Sequence, residues 1–392
     1  MWTGHKIAGF VLLLILGSCQ SARVGKQVNT KFTFDGYIKF EALVNDSIKG
    51  MFIYDTGASG LLFDSTFVSD KQKLIREIDT ARIGGAGNRG YRKIKMIRNS
   101  LNISLGLHHV SFDSIPIFNL EAVFNEKIAG LVGNDFIGGG VLHISNTNLT
   151  LRIDTLANSE KYDTCIPFEF ERERIFIRPK IQLKGGPIVE PRLMIDLGCT
   201  DIIILNTPYY NKIRGHISDV IDYTILDAGV SGNSDGGEFR ANQIQFASYL
   251  IPLPVVSFSK DLHGAHSNTY YDGLIGNELM SRFDYAIDFK NEKLYLKSRK
   301  GYQKPFKSTV SGIYAIKDGD FAIVKCAYRQ FAPYIGGLNI GDTILSINNQ
   351  PISKLSQKVF DRKFGKDNEE LRIEFRKNGM SRFVKYRKGQ KI

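Results

Sequence analysis

Two Asp-x-Gly loops, each entered through an apolar run, are the residues of this chain best suited to chemistry. The first is Asp55-Thr56-Gly57-Ala58-Ser59, after Met51-Phe52-Ile53-Tyr54; the second is Asp196-Leu197-Gly198-Cys199-Thr200, after Leu193-Met194-Ile195. An isolated Asp-Gly marks a turn. Two matched loops facing each other do more, because they bring two carboxyls together. Carboxyls ~3 Å apart cannot both ionise, so one keeps its proton. The ionised member can take a proton from a water held between them. That water attacks an amide carbonyl while the protonated member donates to the developing oxyanion. This chemistry needs no cofactor and no metal. Gly57 and Gly198 let the chain turn sharply and bring N–H groups to each carboxyl.

The elements that must position these loops are repeated too. Leu131-Val132-Gly133-Asn134 recurs as Leu274-Ile275-Gly276-Asn277. Behind the first copy come Val141-Leu142-His143-Ile144 and Leu149-Thr150-Leu151; behind the second, Tyr285-Ala286-Ile287-Asp288 and Leu294-Tyr295-Leu296. The order is the same and the spacing nearly constant, so residues 31–157 and 158–298 read as one unit duplicated. Alternating runs such as Tyr37 to Leu43 and Lys180 to Leu183, punctuated by Gly, Asn and Asp, make each unit mostly β. A helical turn is expected over Glu278 to Phe283. Gly-rich hairpins lie between the paired motifs, with tips at Gly85, Gly87, Gly229 and Gly232. Such tips are mobile and suit flaps that cover a substrate.

These features together resemble the aspartic peptidases, most closely the retropepsin-like families of bacteria. The resemblance covers about two thirds of the chain and implies two retropepsin-like β-barrel lobes in a bilobal acid-protease fold. It implies Asp55 and Asp196 as the catalytic pair, and an extended peptide or protein as substrate. Thr56, Gly57, Ser59, Gly198, Thr200, Gly133 and Gly276 are implied as supports of the pair. The family's Thr after each Asp hydrogen-bonds across the dyad. Thr56 fits this pattern and Leu197 does not. Leu197 therefore leaves an alternative, a catalytically impaired, lipid-anchored peptide-binding adaptor.

Residues 299–308 are polar, with Gly and Pro, and read as a linker. From residue 309 to 392 the pattern changes. Ala332-Pro333-Tyr334-Ile335-Gly336-Gly337-Leu338-Asn339-Ile340-Gly341-Asp342, followed by an apolar strand and an Asn turn, resembles a bacterial PDZ domain, a β-barrel with one or two helices. A helix is expected over 354–364. By that resemblance Ser311, Gly312, Ile313 and Tyr314 would hold a C-terminal peptide added to a sheet edge.

The N-terminus reads as an address. Lys6 precedes an apolar run from Ile7 to Leu16, too short to span a bilayer, and Leu16-Gly17-Ser18-Cys19 resembles a lipobox. Residues 1–18 are then a lipoprotein signal peptide, Cys19 the lipidated residue and 19–30 a tether. The expected location is the cell envelope, at the outer membrane facing the periplasm, with the lipid as membrane partner. The formal charge of +12 over 392 residues is scattered and forms no nucleic-acid platform. Cys165, Cys199 and Cys326 lack a C-x-x-C pattern and are expected as buried thiols. His108-His109 and His263-Gly264-Ala265-His266 are expected on surface loops, without metal. Gly232-Asn233-Ser234-Asp235-Gly236-Gly237 resembles the nucleophile loop of trypsin-like enzymes, but Asp235 interrupts it and no ordered His-Asp-Ser set accompanies it.

Overall fold

Residues 12–13, 28–71, 74, 76–306, 311–364 and 369–388 are described in a computed structural model. Cys19, most of the signal and tether segments, and the end of the linker lie outside the described residues.

The chain is mostly β. Alternation in Ile38–Val44 and Ile48–Tyr54 pairs them as an antiparallel hairpin. Phe40, Val44, Phe52 and Tyr54 are buried there, each worth about 1.5–3 kcal/mol of burial. The hairpin's second arm delivers Asp55. Gly130–Val132 runs parallel to that arm and antiparallel to Leu61–Asp64, and Ile115–Phe118 runs parallel to Leu61–Asp64. The second unit repeats the arrangement. Gly273–Ile275 is parallel to Leu193–Ile195 and antiparallel to Ile203–Leu205, beside which Val255–Ser259 runs parallel. The registers match: Val132 pairs with Tyr54 and Ile275 with Ile195, each one residue before its Asp.

A six-stranded sheet joins the units, in the order Thr164–Pro167, Lys293–Ser298, Phe283–Asp288, Val141–Ser145, Thr150–Asp154 and Val28–Lys31. Its central pairing, Val141 with Asp288 through Ile144 with Tyr285, crosses between the units. One apolar core runs through both. The helical turn after the second Gly-Asn is shorter than expected, Asn277–Met280. Phe283 starts a strand instead, because its ring packs on Phe246 and Tyr249.

The Gly-rich hairpins are Ile78–Gly85 with Arg92–Ile97, and Ile221–Gly229 with Gly232–Arg240. Leu12–Leu13 pairs antiparallel with Gly85 and Gly84 on the first.

The C-terminal segment has its own core, including Ile313, Val324, Leu338, Ile344, Phe360 and Phe375. Ile313–Asp318 and Phe321–Tyr328 form a hairpin, followed by Thr343–Ile347, the helix Gln357–Phe364 and the hairpin of Glu370–Lys377 with Met380–Arg387. The expected helix over 354–364 splits into a 3-10 turn, Ile352–Lys354, and that helix. This segment is not suspended on a free linker. Phe306 is buried, with the Arg282 guanidinium 3.4 Å from its ring centre. Phe321–Tyr328 also pairs with the second Gly-rich hairpin, Tyr223 with Tyr328 through Ile225 with Cys326. Tyr223, Tyr328 and Phe331 pack together, and Arg329 bonds Asp235 at 2.7 Å and Thr224 at 2.9 Å. Among the described residues no helix is long and apolar enough to cross a membrane.

Candidate active site

Asp55 and Asp196 sit at equivalent ends of equivalent strands, fully buried. The loops that carry them are built alike. The Asp55 N–H donates to Val132 O at 3.0 Å, and the Asp196 N–H to Ile275 O at 2.8 Å. The Gly57 N–H donates to Asp55 Oδ1 at 2.8 Å, and the Gly198 N–H to Asp196 Oδ1 at 2.9 Å. Each glycine lies against the opposite acid. A Cβ on Gly57 would fall 2.6–2.7 Å from the carboxyl atoms of Asp196; one on Gly198 would fall 2.5–2.6 Å from those of Asp55. The two acids therefore face each other across the unit boundary, and only glycine fits between the loops.

Gly133 and Gly276 brace the loops from behind. A Cβ at Gly133 would come within 2.4 Å of Ala58 O, and one at Gly276 within 2.4 Å of Asp201 O. Ser59 lies in the same contact with Gly133, whereas Thr200 turns its methyl to Gly36 of the first unit. The cross-loop tie is one-sided. The Thr56 hydroxyl donates to Ile195 O at 2.7 Å and accepts from the Leu197 N–H at 2.9 Å. Leu197 has no hydroxyl to return this and is buried in the main core instead.

Three further residues hold the loops, and the sequence reading did not assign them. Asn134 donates to Thr56 O at 3.1 Å and to Glu173 O at 2.8 Å, and accepts from the Tyr54 hydroxyl at 2.9 Å. Asn277 donates to Leu197 O. The repeated Gly-Asn pairs carried this signal. Arg174, from the second unit, is buried and donates from Nε to Gly57 O at 3.1 Å. No sequence motif marked it.

Burial raises both acids. Asp55 is pushed up to about 6 by loss of water, offset by its hydrogen bonding with Asp196 and with the Gly57 N–H and by the charge of Arg174. Asp196 is pushed well up by burial, and further by the charge of Asp55 facing it. The titration belongs to the pair. The pair thus places two buried carboxyls against each other's loops.

The tips of the two Gly-rich hairpins meet each other. The Asn88 N–H donates to Asn233 O at 2.8 Å, the Arg89 N–H to Ser231 O at 2.9 Å and the Ser231 N–H to Ala86 O at 2.9 Å. A Cβ at Gly87 would collide with Ser231 and Gly232, and one at Gly229 with Ala86. The Gly85 N–H donates to the Ser231 hydroxyl oxygen at 3.2 Å, and Gly232 lies against Arg89. Gly85, Gly87, Gly229 and Gly232 are buried, and the tips are hydrogen-bonded to each other. A hollow of about 680 Å³ lies elsewhere, over the six-stranded sheet beside Asn29, His143, Arg152 and Tyr162.

The remaining expected residues divide. Ser311 is buried and donates its hydroxyl to Ile313 O at 2.6 Å. Gly312 packs on Phe331 and accepts the Tyr328 N–H at 3.0 Å; Ile313 is in the C-terminal core and Tyr314 is half-buried beside Tyr328 and Phe331. This loop faces inward, and the Ile313–Asp318 strand beyond it pairs on one edge with Phe321–Tyr328. His108 and His266 are buried, not on surface loops, bonded to Phe136 O and Asn206 Oδ1. Cys199 and Cys326 are buried, but Cys165 is exposed. Among the described residues, no three His, Cys, Asp or Glu side chains gather as a metal site.

No protein-family model matches the chain, and no curated protein matches its sequence.

Proposed function

We propose that this chain is an aspartic-type endopeptidase. The observation that carries the reading is the pair of buried carboxyls, Asp55 and Asp196, each against the other unit's loop glycine. In this reading each unit is a retropepsin-like lobe, and both lobes lie on one chain. One carboxyl of the pair takes a proton from water, and the other donates to the oxyanion. Gly57 and Gly198 hold each carboxyl through N–H bonds and set the spacing. The substrate lies extended beneath the hairpin tips. The C-terminal segment is read as a PDZ-like module whose Ile313–Asp318 edge takes a peptide, and Cys19 as a lipid anchor in the cell envelope.

Leu197 supports a second reading, a peptide-binding adaptor with an impaired dyad. One assay separates the two: cleavage of a mixed peptide library by wild type, Asp55→Asn and Asp196→Asn from pH 4 to 8. The endopeptidase reading expects cleavage by wild type alone. Equal turnover in all three removes the dyad, and no turnover with retained peptide binding favours the adaptor.

A further inference from the structure

The cross-loop grip is missing one arm, and something else must hold the second loop to the first. The turn Arg172-Glu173 connects strands Glu169–Glu171 and Arg174–Ile177, with both turn residues at positive φ (51° and 60°). It brings the second unit's backbone onto the first unit's loop. The Glu173 carbonyl accepts from Asn134, which also holds Thr56 O, and Arg174 Nε reaches Gly57 O. Arg174 Nη1 donates to Arg172 O at 2.6 Å, which fixes the guanidinium in its turn.

The duplication shows that this is specific to one side. Lys39 pairs with Ile53 in the first unit and Phe176 with Met194 in the second, so Tyr37 occupies the position of Arg174. Tyr37 is buried, its hydroxyl without a hydrogen-bond partner. The arginine thus stands on the unit that lacks the grip hydroxyl.

We infer that Arg174 is a positioning residue: it replaces the missing cross-loop tie and sets a fixed cation beside the paired carboxyls. This rests on reading Asp55 and Asp196 as a working pair. An arginine is always charged, and its buried charge acts through a low dielectric. It therefore favours the singly ionised pair over the fully protonated one. The other titratable groups around this cluster are Tyr54, Cys199, Tyr271, Asp135 and Glu173. Asp135 and Glu173 share a hydrogen bond of their own.

The test titrates the aspartates by carboxyl-carbon NMR in the full chain without substrate, so it does not depend on cleavage. Arg174→Gln can still donate to Gly57 O but carries no charge. Arg174→Lys keeps the charge and loses the fixed fork. The lower midpoint of the Asp55–Asp196 pair should rise by about one pH unit or more in Arg174→Gln and stay within about 0.3 of wild type in Arg174→Lys, a tenfold proton-affinity change per unit. If the chain cleaves peptides, the acid limb of kcat/KM should move by the same amount. An unmoved midpoint in Arg174→Gln, with hydrogen-exchange protection of Gly57 and Leu197 intact, overturns the inference. If the midpoint shifts while wild type cleaves nothing, the inference stands and the peptidase reading falls.

Discussion

Replacing Thr56 by valine keeps the shape of a fully buried side chain and removes its hydroxyl. That hydroxyl makes two bonds across the unit boundary, to Ile195 O at 2.7 Å and from the Leu197 N–H at 2.9 Å. The Leu197 N–H is left buried without its acceptor, at a cost of about 1–3 kcal/mol, and loss of the Ile195 bond adds about 1 kcal/mol. The expected destabilisation is therefore about 2–4 kcal/mol. The loops carrying Asp55 and Asp196 lose their side-chain clamp, and a shift of about 1 Å lowers kcat/KM about 100-fold. Thr56→Ser keeps both bonds and loses one methyl, for about 0.5–1.5 kcal/mol. Chemical denaturation and hydrogen exchange at the Leu197 amide measure the effect without reference to activity. A Thr56→Val protein within about 0.5 kcal/mol of wild type, with unchanged exchange at Leu197, refutes the reasoning.

The buried pair also sets a pH dependence. Its folded-state affinity for protons is raised, so its contribution to stability is full below the unfolded Asp value of about 3.9 and is lost as pH rises through about 6 and beyond. Asp55→Asn/Asp196→Asn should consequently gain on wild type in melting temperature between pH 4 and 7, while peptide cleavage by wild type should rise through about pH 6 and fall again as the pair loses its remaining proton. Gly198→Ala places a methyl 2.5–2.6 Å from the Asp55 carboxyl, so the loops must part by nearly an ångström; cleavage should fall about 100-fold with the protein still folded, as near-UV circular dichroism would show. Arg329→Ala removes a half-exposed ion pair to Asp235, for about 0.2–1 kcal/mol, and amides of 221–240 should exchange up to about fivefold faster, with those of 141–154 unchanged; equal rates would mean the C-terminal segment does not hold that hairpin.

The paired loops and the duplication were legible because the physics there is local and repeats. An apolar strand must end where Asp-x-Gly turns, and Gly133 and Gly276 must be small where they cross Ala58 and Cys199. Other features depend on contacts between distant segments, for which one sequence gives no period. Arg174 looks like any charged strand residue until its strand is laid beside Gly57. The Gly-rich tips read as mobile because glycine frees the backbone, yet here the same glycines permit close approach: Gly87 fits only because it brings no Cβ into Ser231. Residues 299–308 read as linker by composition, but Phe306 finds Arg282 and is drawn down.

The two halves have diverged only where a single chain allows it. In a symmetric homodimer every substitution appears on both sides, so a leucine at the grip position would remove both hydroxyls at once. On one chain Leu197 removes one arm while Thr56 still spans the boundary. The second side is then free to hold an arginine where the first holds Tyr37, and only the second hairpin carries the C-terminal strand. Identical surroundings would leave the shared proton evenly divided. Here burial raises both acids and Arg174 lowers both, so the proton is held by the pair and not by one residue. In Asp55→Asn the remaining carboxyl loses its charged neighbour and should titrate lower than Asp196 does in the wild-type pair. An Asp196 midpoint unmoved by that substitution would mean that the charge facing it across the unit boundary does not act on it.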